Sequence, residues 1–215
     1  MRSKSGATTS RSPEEPAATS VSRRAFIRGL GTTAVTAATL GAQSAAAELA
    51  AANAEAPRGP HATPVALSIN GARRTFSLEP RATLLEALRL HASLTGPKEA
   101  CDRGTCGACT VLLAGIPVYA CMMLAIDAEG REITTVEGLS REGPTPLQKA
   151  IVAADGLQCG YCTPGFVMSL TALGKTKPQP TKAEVLKACS GHLCRCGSYP
   201  RVFAAALAAS KTPSV

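Results

Sequence analysis

Tryptophan is absent from this 215-residue chain, and three tyrosines and four phenylalanines are its whole aromatic complement. So few large side chains argue against a self-sufficient enzyme with a deep substrate pocket. A chain this poor in bulk, with nine cysteines, is expected to supplement its hydrophobic core with cross-links or bound metal. Strongly apolar runs are missing too. The uncharged stretch Gly29 to Ala47 consists largely of Ala, Thr and Gly and lacks the Leu, Ile and Val content of a stable membrane-spanning helix. Dense Lys/Arg runs are missing as well, although the net charge is +8. Residues 1–60 hold seven basic and four acidic side chains, residues 61–215 sixteen and eleven, so the excess is spread thinly and nucleic acid is not an expected partner. No nucleophile, base and oxyanion-stabilising set stands out, and His61 and His91 carry no motif. The length allows one or two small domains.

What is present begins with Ser22-Arg23-Arg24-Ala25-Phe26-Ile27-Arg28, directly ahead of the uncharged stretch. Ala45-Ala46-Ala47 offers a small-x-small cleavage point and Ala52-Asn53-Ala54 a second. A basic start, a weakly apolar middle and small residues at the end resemble a twin-arginine export signal. That route moves proteins already folded, which suits a chain whose cofactor is inserted in a reducing cytoplasm. The expectation is a signal peptide over 1–47, a linker over 48–62 and a periplasmic location.

The nine cysteines fall into two groups and one remainder. Cys101, Cys106, Cys109 and Cys121 read C-x4-C-x2-C-x11-C, opening on CDRGTCGAC. Three thiols in a loop interleaved with Gly104, Gly107 and Ala108 leave the backbone N–H groups free to turn toward sulfur. This suits a 2Fe-2S cluster, whose sulfides and thiolates carry negative charge, and the spacing is that of plant-type ferredoxins. Structural zinc more often pairs two C-x2-C knuckles. Cys159, Cys162, Cys194 and Cys196 read C-x2-C-x31-C-x-C, and on spacing alone these two close pairs suit tetrahedral zinc as well as an iron-sulfur cluster. Cys189 fits neither group and is expected to be a small buried apolar residue.

Patterning supplies a coarse fold. Val65, Leu67 and Ile69 alternate, Asn70-Gly71 is a type I′ hairpin signal, and Phe76 and Leu78 resume the alternation. Thr83 and Glu86 form a capping box ahead of a short helix bearing Leu84, Leu85 and Leu88. A second hairpin is expected over 110–113 and 116–121, with Cys121 on the returning strand, and 131–136 adds a strand. From Pro144 the period is helical: Thr145 to Gln148 and Thr181 to Glu184 are capping boxes, and Thr163-Pro164 reads as a cap and first-turn proline. Gly191 reads as a helix stop, and Val202 to Ala209 as the last helix.

With CDRGTCGAC, QCGYCTPG and GHLCRCGSYPR in this order over about residues 62–210, the chain resembles the iron-sulfur subunits of the molybdenum hydroxylases, the xanthine dehydrogenase and aldehyde oxidoreductase family. The export signal makes periplasmic aldehyde oxidoreductases the nearest type. The resemblance implies an α+β chain: a ferredoxin-like β-grasp domain over 63–140 and an all-α four-helix 2Fe-2S domain over 141–210. It implies two 2Fe-2S clusters. Cys101, Cys106, Cys109 and Cys121 hold the one on the acceptor side; Cys159, Cys162, Cys194 and Cys196 hold the one nearest a molybdenum-pterin cofactor in a separate large subunit. Gln158 and Cys196 are the implied pterin contacts. Electrons would pass from molybdenum through both clusters to an FAD subunit or a cytochrome c, after oxidation of an aldehyde or an N-heterocycle of xanthine type. A free-standing ferredoxin carrier and a zinc-binding structural or interaction module are the other readings. Relatives usually carry Asn where this chain has His192. Four cysteines already complete that site, so a turn-forming or solvent-facing histidine is expected.

Overall fold

In the computed structural model residues 59–210 are described; the twin-arginine segment, both cleavage candidates and most of the linker lie outside the described residues. β1 (Thr63–Ile69) and β2 (Ala72–Leu78) pair antiparallel, from Ile69 opposite Ala72 to Thr63 opposite Leu78. Asn70 and Gly71 between them take φ of 52° and 77°, the two left-handed residues that a type I′ turn requires. β3 (Thr110–Leu113) and β4 (Ile116–Tyr119) repeat the device across Ala114 and Gly115. β5 (Glu132–Thr134) enters between the hairpins, parallel to β1 and antiparallel to β3, which gives the order β2-β1-β5-β3-β4.

α1 (Leu84–Glu86) starts with the expected capping box of Thr83 and Glu86 and runs on as a π-helical turn over Ala87–His91. Its Leu84, Leu85 and Leu88 pack with Val65, Leu67, Ile69, Val111, Leu113 and Ile133 in the larger core. Beyond Thr134 the chain is helical: α2 (Val136–Leu139), α3 (Pro146–Ala153), α4 (Thr163–Thr176), α5 (Lys182–Ala188) and α6 (Tyr199–Ala209). The capping boxes of Thr145 with Gln148 and of Thr181 with Glu184 both form. Phe166 and Leu170 of α4 pack with Val185, Cys189, Val202 and Ala206 in a second core. Cys189 is thus the small buried residue its isolation in the sequence suggests.

β3 joins the sheet to the helices. Val111 and Leu113 face the α1 core, whereas Leu112 packs on Met168 and Ala172 of α4. All four residues of the strand are buried, because a strand covered on both faces has no polar side. Thr110, on the Leu112 face, is thereby carried toward the helices.

Three local expectations are corrected. β4 ends at Tyr119, so Cys121 lies in a 3-10 turn over Ala120–Met122 and not on the returning strand. Thr163 is the first residue of α4 rather than its cap; Cys162 holds the capping position, in a right-handed conformation without a side-chain cap bond. α5 stops at Ala188, capped by Cys189, so Gly191 lies past the stop in the following turn. Among the described residues no helix is long and apolar enough to cross a membrane.

Two outcomes follow from this packing. Phe166 is fully buried where α4 meets the last helices, so Phe166→Ala is expected to cost about 3 to 5 kcal/mol. Urea midpoints at matched iron content measure it, and a loss under about 1 kcal/mol would contradict the packing. Glu184 accepts from Lys177 Nζ at 2.6 Å and from the Thr181 backbone N–H at 2.8 Å, and these bonds hold its carboxyl at about 2. The unfolded value is about 4.3, so the contribution is present above that pH and is lost as the pH falls toward the folded value. Glu184→Gln retains a capping side chain without the charge. The stability difference between wild type and this variant is therefore expected to close as the pH falls from about 5 to about 2; an unchanging difference would show that the charge is not what matters.

Candidate metal centres

The first thiol loop leaves α1 and returns into β3. Its base is closed by the Lys98 N–H donating to the Ala108 carbonyl at 3.0 Å. Within it Asp102, Gly104 and Gly107 take positive φ, which turns successive amides toward one side. The Thr105 N–H donates to Cys101 Sγ at 3.3 Å. Burial pushes the Cys101 thiol up, but bonds from Thr105, Arg103 and Cys106 outweigh it and bring it down to about 6. Cys109 and Cys121 sit side by side in the protein interior, sulfur to sulfur 3.4 Å. Burial first, with the Cys121 thiol beside it, pushes Cys109 up to about 12 against a lowering bond from the Cys121 backbone.

The second group is assembled from two segments. Cys162 heads α4, and Cys194 belongs to the loop between α5 and α6. Burial and the hydrogen-bonded Cys194 thiol push Cys162 up to about 12, and Cys159 adds to the rise. Cys194 moves the other way. Burial would raise it, but the Ser198 N–H, 3.4 Å from Sγ, and the Cys162 thiol lower it. Cys159 and the neighbouring Gln158 are exposed, and Cys196 is half-buried. All nine cysteines are free thiols. Among the described residues no three His, Cys, Asp or Glu side chains converge as a single-ion site. The thiols come together two at a time, as Cys101 with Cys106, Cys109 with Cys121 and Cys162 with Cys194.

The two groups touch through the loop Gly191-His192-Leu193. The Leu193 N–H donates to the Cys106 carbonyl at 3.0 Å, and the Tyr119 hydroxyl donates to the Gly191 carbonyl at 3.3 Å. The Tyr161 hydroxyl donates to the Glu99 carbonyl, a second tie between the groups. Gly107 has φ +71°, and a Cβ on it would lie 2.7 Å from the Gly191 carbonyl oxygen, so neither a larger residue nor another backbone course fits there. A Cβ on Gly165 would run into the Gly107 carbonyl oxygen, so the first turn of α4 also lies directly against the first thiol loop.

His192 is the position where the sequence misled. It is 4% exposed, not solvent-facing, although its N–H does close a turn onto the Cys189 carbonyl at 3.0 Å. Its ring lies 5.0 Å from that of Phe166 and edge-on to Tyr119. Burial holds the imidazole below its ordinary pKa, against an opposing pull from the Gly165 backbone. Tyr199 was missed as well: its hydroxyl accepts from the Cys194 N–H at 2.7 Å and so braces the C-x-C loop. Its place three residues after Cys196 was the available signal, whereas nothing in the spacing marks Thr110 or Ser169 as partners of His192.

Comparison with known proteins gives the family. The model of the 2Fe-2S iron-sulfur cluster binding domain matches residues 67–136, and that of a second 2Fe-2S binding domain matches residues 135–207. The chain is 48% identical over 141 residues to the nicotine 6-hydroxylase small subunit of Paenarthrobacter nicotinovorans, covering 66% of this chain and 86% of the relative. It is 38% identical over 207 residues to the aldehyde oxidoreductase iron-sulfur-binding subunit PaoA of Escherichia coli (strain K12), covering 89% of each. Among solved structures, quinoline 2-oxidoreductase from Pseudomonas putida 86 superposes with a TM-score of 0.68 at 40% identity, over 70% of this chain and 95% of that one. Two 2Fe-2S domain models in tandem, together with a relative matched over nearly its whole length, settle the membership: the chain belongs to the iron-sulfur small subunits of the molybdenum hydroxylases, the xanthine dehydrogenase and aldehyde oxidoreductase family.

Proposed function

We propose that this chain is the two-cluster relay of an exported molybdenum enzyme, with Cys101, Cys106, Cys109 and Cys121 binding one 2Fe-2S cluster and Cys159, Cys162, Cys194 and Cys196 another. That such a subunit carries electrons within an oxidoreductase is the shared property of the family; the ligand sets, their number and the direction of flow are our reading. The observation that carries it is the pairing of thiols. Two thiolates on one tetrahedral metal, with metal-sulfur bonds of about 2.3 Å, stand about 3.8 Å apart. The 3.4 Å between Cys109 and Cys121 is close to that span; the first group forms two such pairs, as a two-iron centre needs, and the second forms one, Cys162 with Cys194, with Cys159 and Cys196 as the remaining two ligands of the proposed set. A ferredoxin-like β-grasp domain over 63–140 and a helical domain over 141–210 fit one group each.

The clusters, when bound, supply one-electron redox chemistry. The rest is the work of this chain. The Thr105 and Ser198 amides donate to Cys101 and Cys194 sulfur, which stabilises negative charge there and so raises the tendency to accept an electron. Burial of Cys109 and Cys121 keeps water from that side of the first group. The exposed Cys159 and Gln158 and the half-buried Cys196 leave the second group open to solvent, and Gln158 and Cys196 would there meet the pterin of a large subunit. The acceptor beyond the first group would be an FAD subunit or a cytochrome c, and the complex would oxidise an aldehyde or an N-heterocycle. The route out of the cytoplasm would be the twin-arginine signal of residues 1–47, giving a periplasmic enzyme.

Chemical analysis of the native protein is expected to find four iron and four acid-labile sulfide per chain, with two EPR signals on reduction. Cys106→Ser is expected to remove one signal and Cys194→Ser the other. Zinc without labile sulfide would favour the structural module instead. Replacing Arg23 and Arg24 together by Lys is expected to leave the precursor, with its large subunit, in the cytoplasm; undiminished recovery from the periplasm would refute the export assignment. Purified without denaturant from that fraction, the chain is expected to elute with a large molybdenum subunit, whereas a free carrier would elute alone.

A further inference from the structure

His192 sits where three elements meet, and its hydrogen bonds have only one consistent direction. The Thr110 hydroxyl donates to the Gly107 carbonyl at 2.6 Å, which uses its single proton. Toward His192 Nε2, 3.2 Å away, Thr110 can therefore only accept. Nε2 must carry the hydrogen, and the Ser169 hydroxyl on α4, also 3.2 Å from it, shares that hydrogen as a second acceptor. Nδ1 is then the unprotonated nitrogen, which accords with its being buried with no hydrogen-bond partner. One N–H thus ties the strand that follows Cys109 to the helix that follows Cys162, from a residue two positions before Cys194. The same three-residue loop carries the Leu193 N–H to Cys106 carbonyl bond.

We propose that His192 is a positioning residue for electron passage: through Nε2 it locks the loop of Cys194 onto the loop of Cys106, and so fixes the separation and contact of the two clusters. The inference rests on the reading of both cysteine groups as cluster ligands and adds to it the element that sets their spacing. The step that clusters held by these cysteines would supply is passage of one electron from the centre at Cys194 to the centre at Cys106, one iron being oxidised and another reduced. No bond is made or broken and no proton travels.

The test uses the native complex carrying His192→Phe, which keeps a ring but loses the nitrogen, and His192→Gln, which places an amide N–H at the reach of Nε2. Iron and labile sulfide are measured first, and they test the ligand assignment separately: absence of either from wild type refutes that reading whatever His192 does. In fully reduced samples the magnetic interaction between the two cluster signals reports their separation, a quantity that a change in stability alone does not move. His192→Phe is expected to load iron normally, to weaken that interaction and to slow reduction of the second-responding cluster severalfold; His192→Gln is expected to restore both. An unchanged interaction in His192→Phe, or no rescue by His192→Gln, overturns the proposal. If His192→Phe fails to load, Ser169→Ala and Thr110→Val, each removing one acceptor, are expected to weaken the interaction at full iron, and wild-type behaviour in both overturns it.

Discussion

The backbone contact between Gly107 and Gly165 is the constraint on which the rest of this structure depends. Side chains are absent on both sides, so the start of α4 presses directly on the loop that carries Cys101, Cys106 and Cys109. Cys162 stands at the head of that helix, and its thiol group is therefore held against the other by main chain rather than by flexible side chains. The Leu193 and Tyr119 hydrogen bonds and the buried His192 ring close the remaining gap. The sheet and the helices share Leu112 as a common packing residue, so neither half can shift without disturbing the other.

Most of the architecture could be read from local chemistry. Asn70-Gly71 is a turn because both positions must be left-handed, and the three Thr-x-x-Glu/Gln boxes start helices because they satisfy amides that no helix can satisfy internally. The thiol spacings were equally direct, since ligand sets leave fixed intervals. The failures came where tertiary packing decides. β3 gave no alternation because it is covered on both faces, and Cys121 left the strand because the chain must turn to bring its sulfur to Cys109. His192 looked like a surface turn residue because a single polar residue between Gly191 and Leu193 says nothing of what folds over it. Its partners lie 82 and 23 residues away in sequence, beyond any local pattern.

The two thiol groups differ in how the protein treats them. In the first, Cys109 and Cys121 are buried among Leu and Val side chains, and Cys101 and Cys106 are half-buried, Cys101 with its thiol drawn down to about 6. In the second, Cys159 is exposed and Cys162 and Cys194 are half-covered. Such a gradient of burial and amide donation is the means by which a protein sets the potential of otherwise identical centres. It also leaves part of each group uncovered, Cys101 and Cys106 half-buried in the first and Cys159 exposed in the second.

The strand order carries a last consequence. β5, the short piece between the two hairpins, is the final strand to be synthesised yet occupies the middle of the sheet. Until it arrives, β1 and β3 have no common neighbour, and the loop bearing three cysteines hangs between two unjoined ribbons. Closure of this non-local pairing is slow relative to hairpin formation. The thiol loop therefore takes its last neighbours from chain made after it: β5 beside β3, and then the start of α4 and the turn at His192.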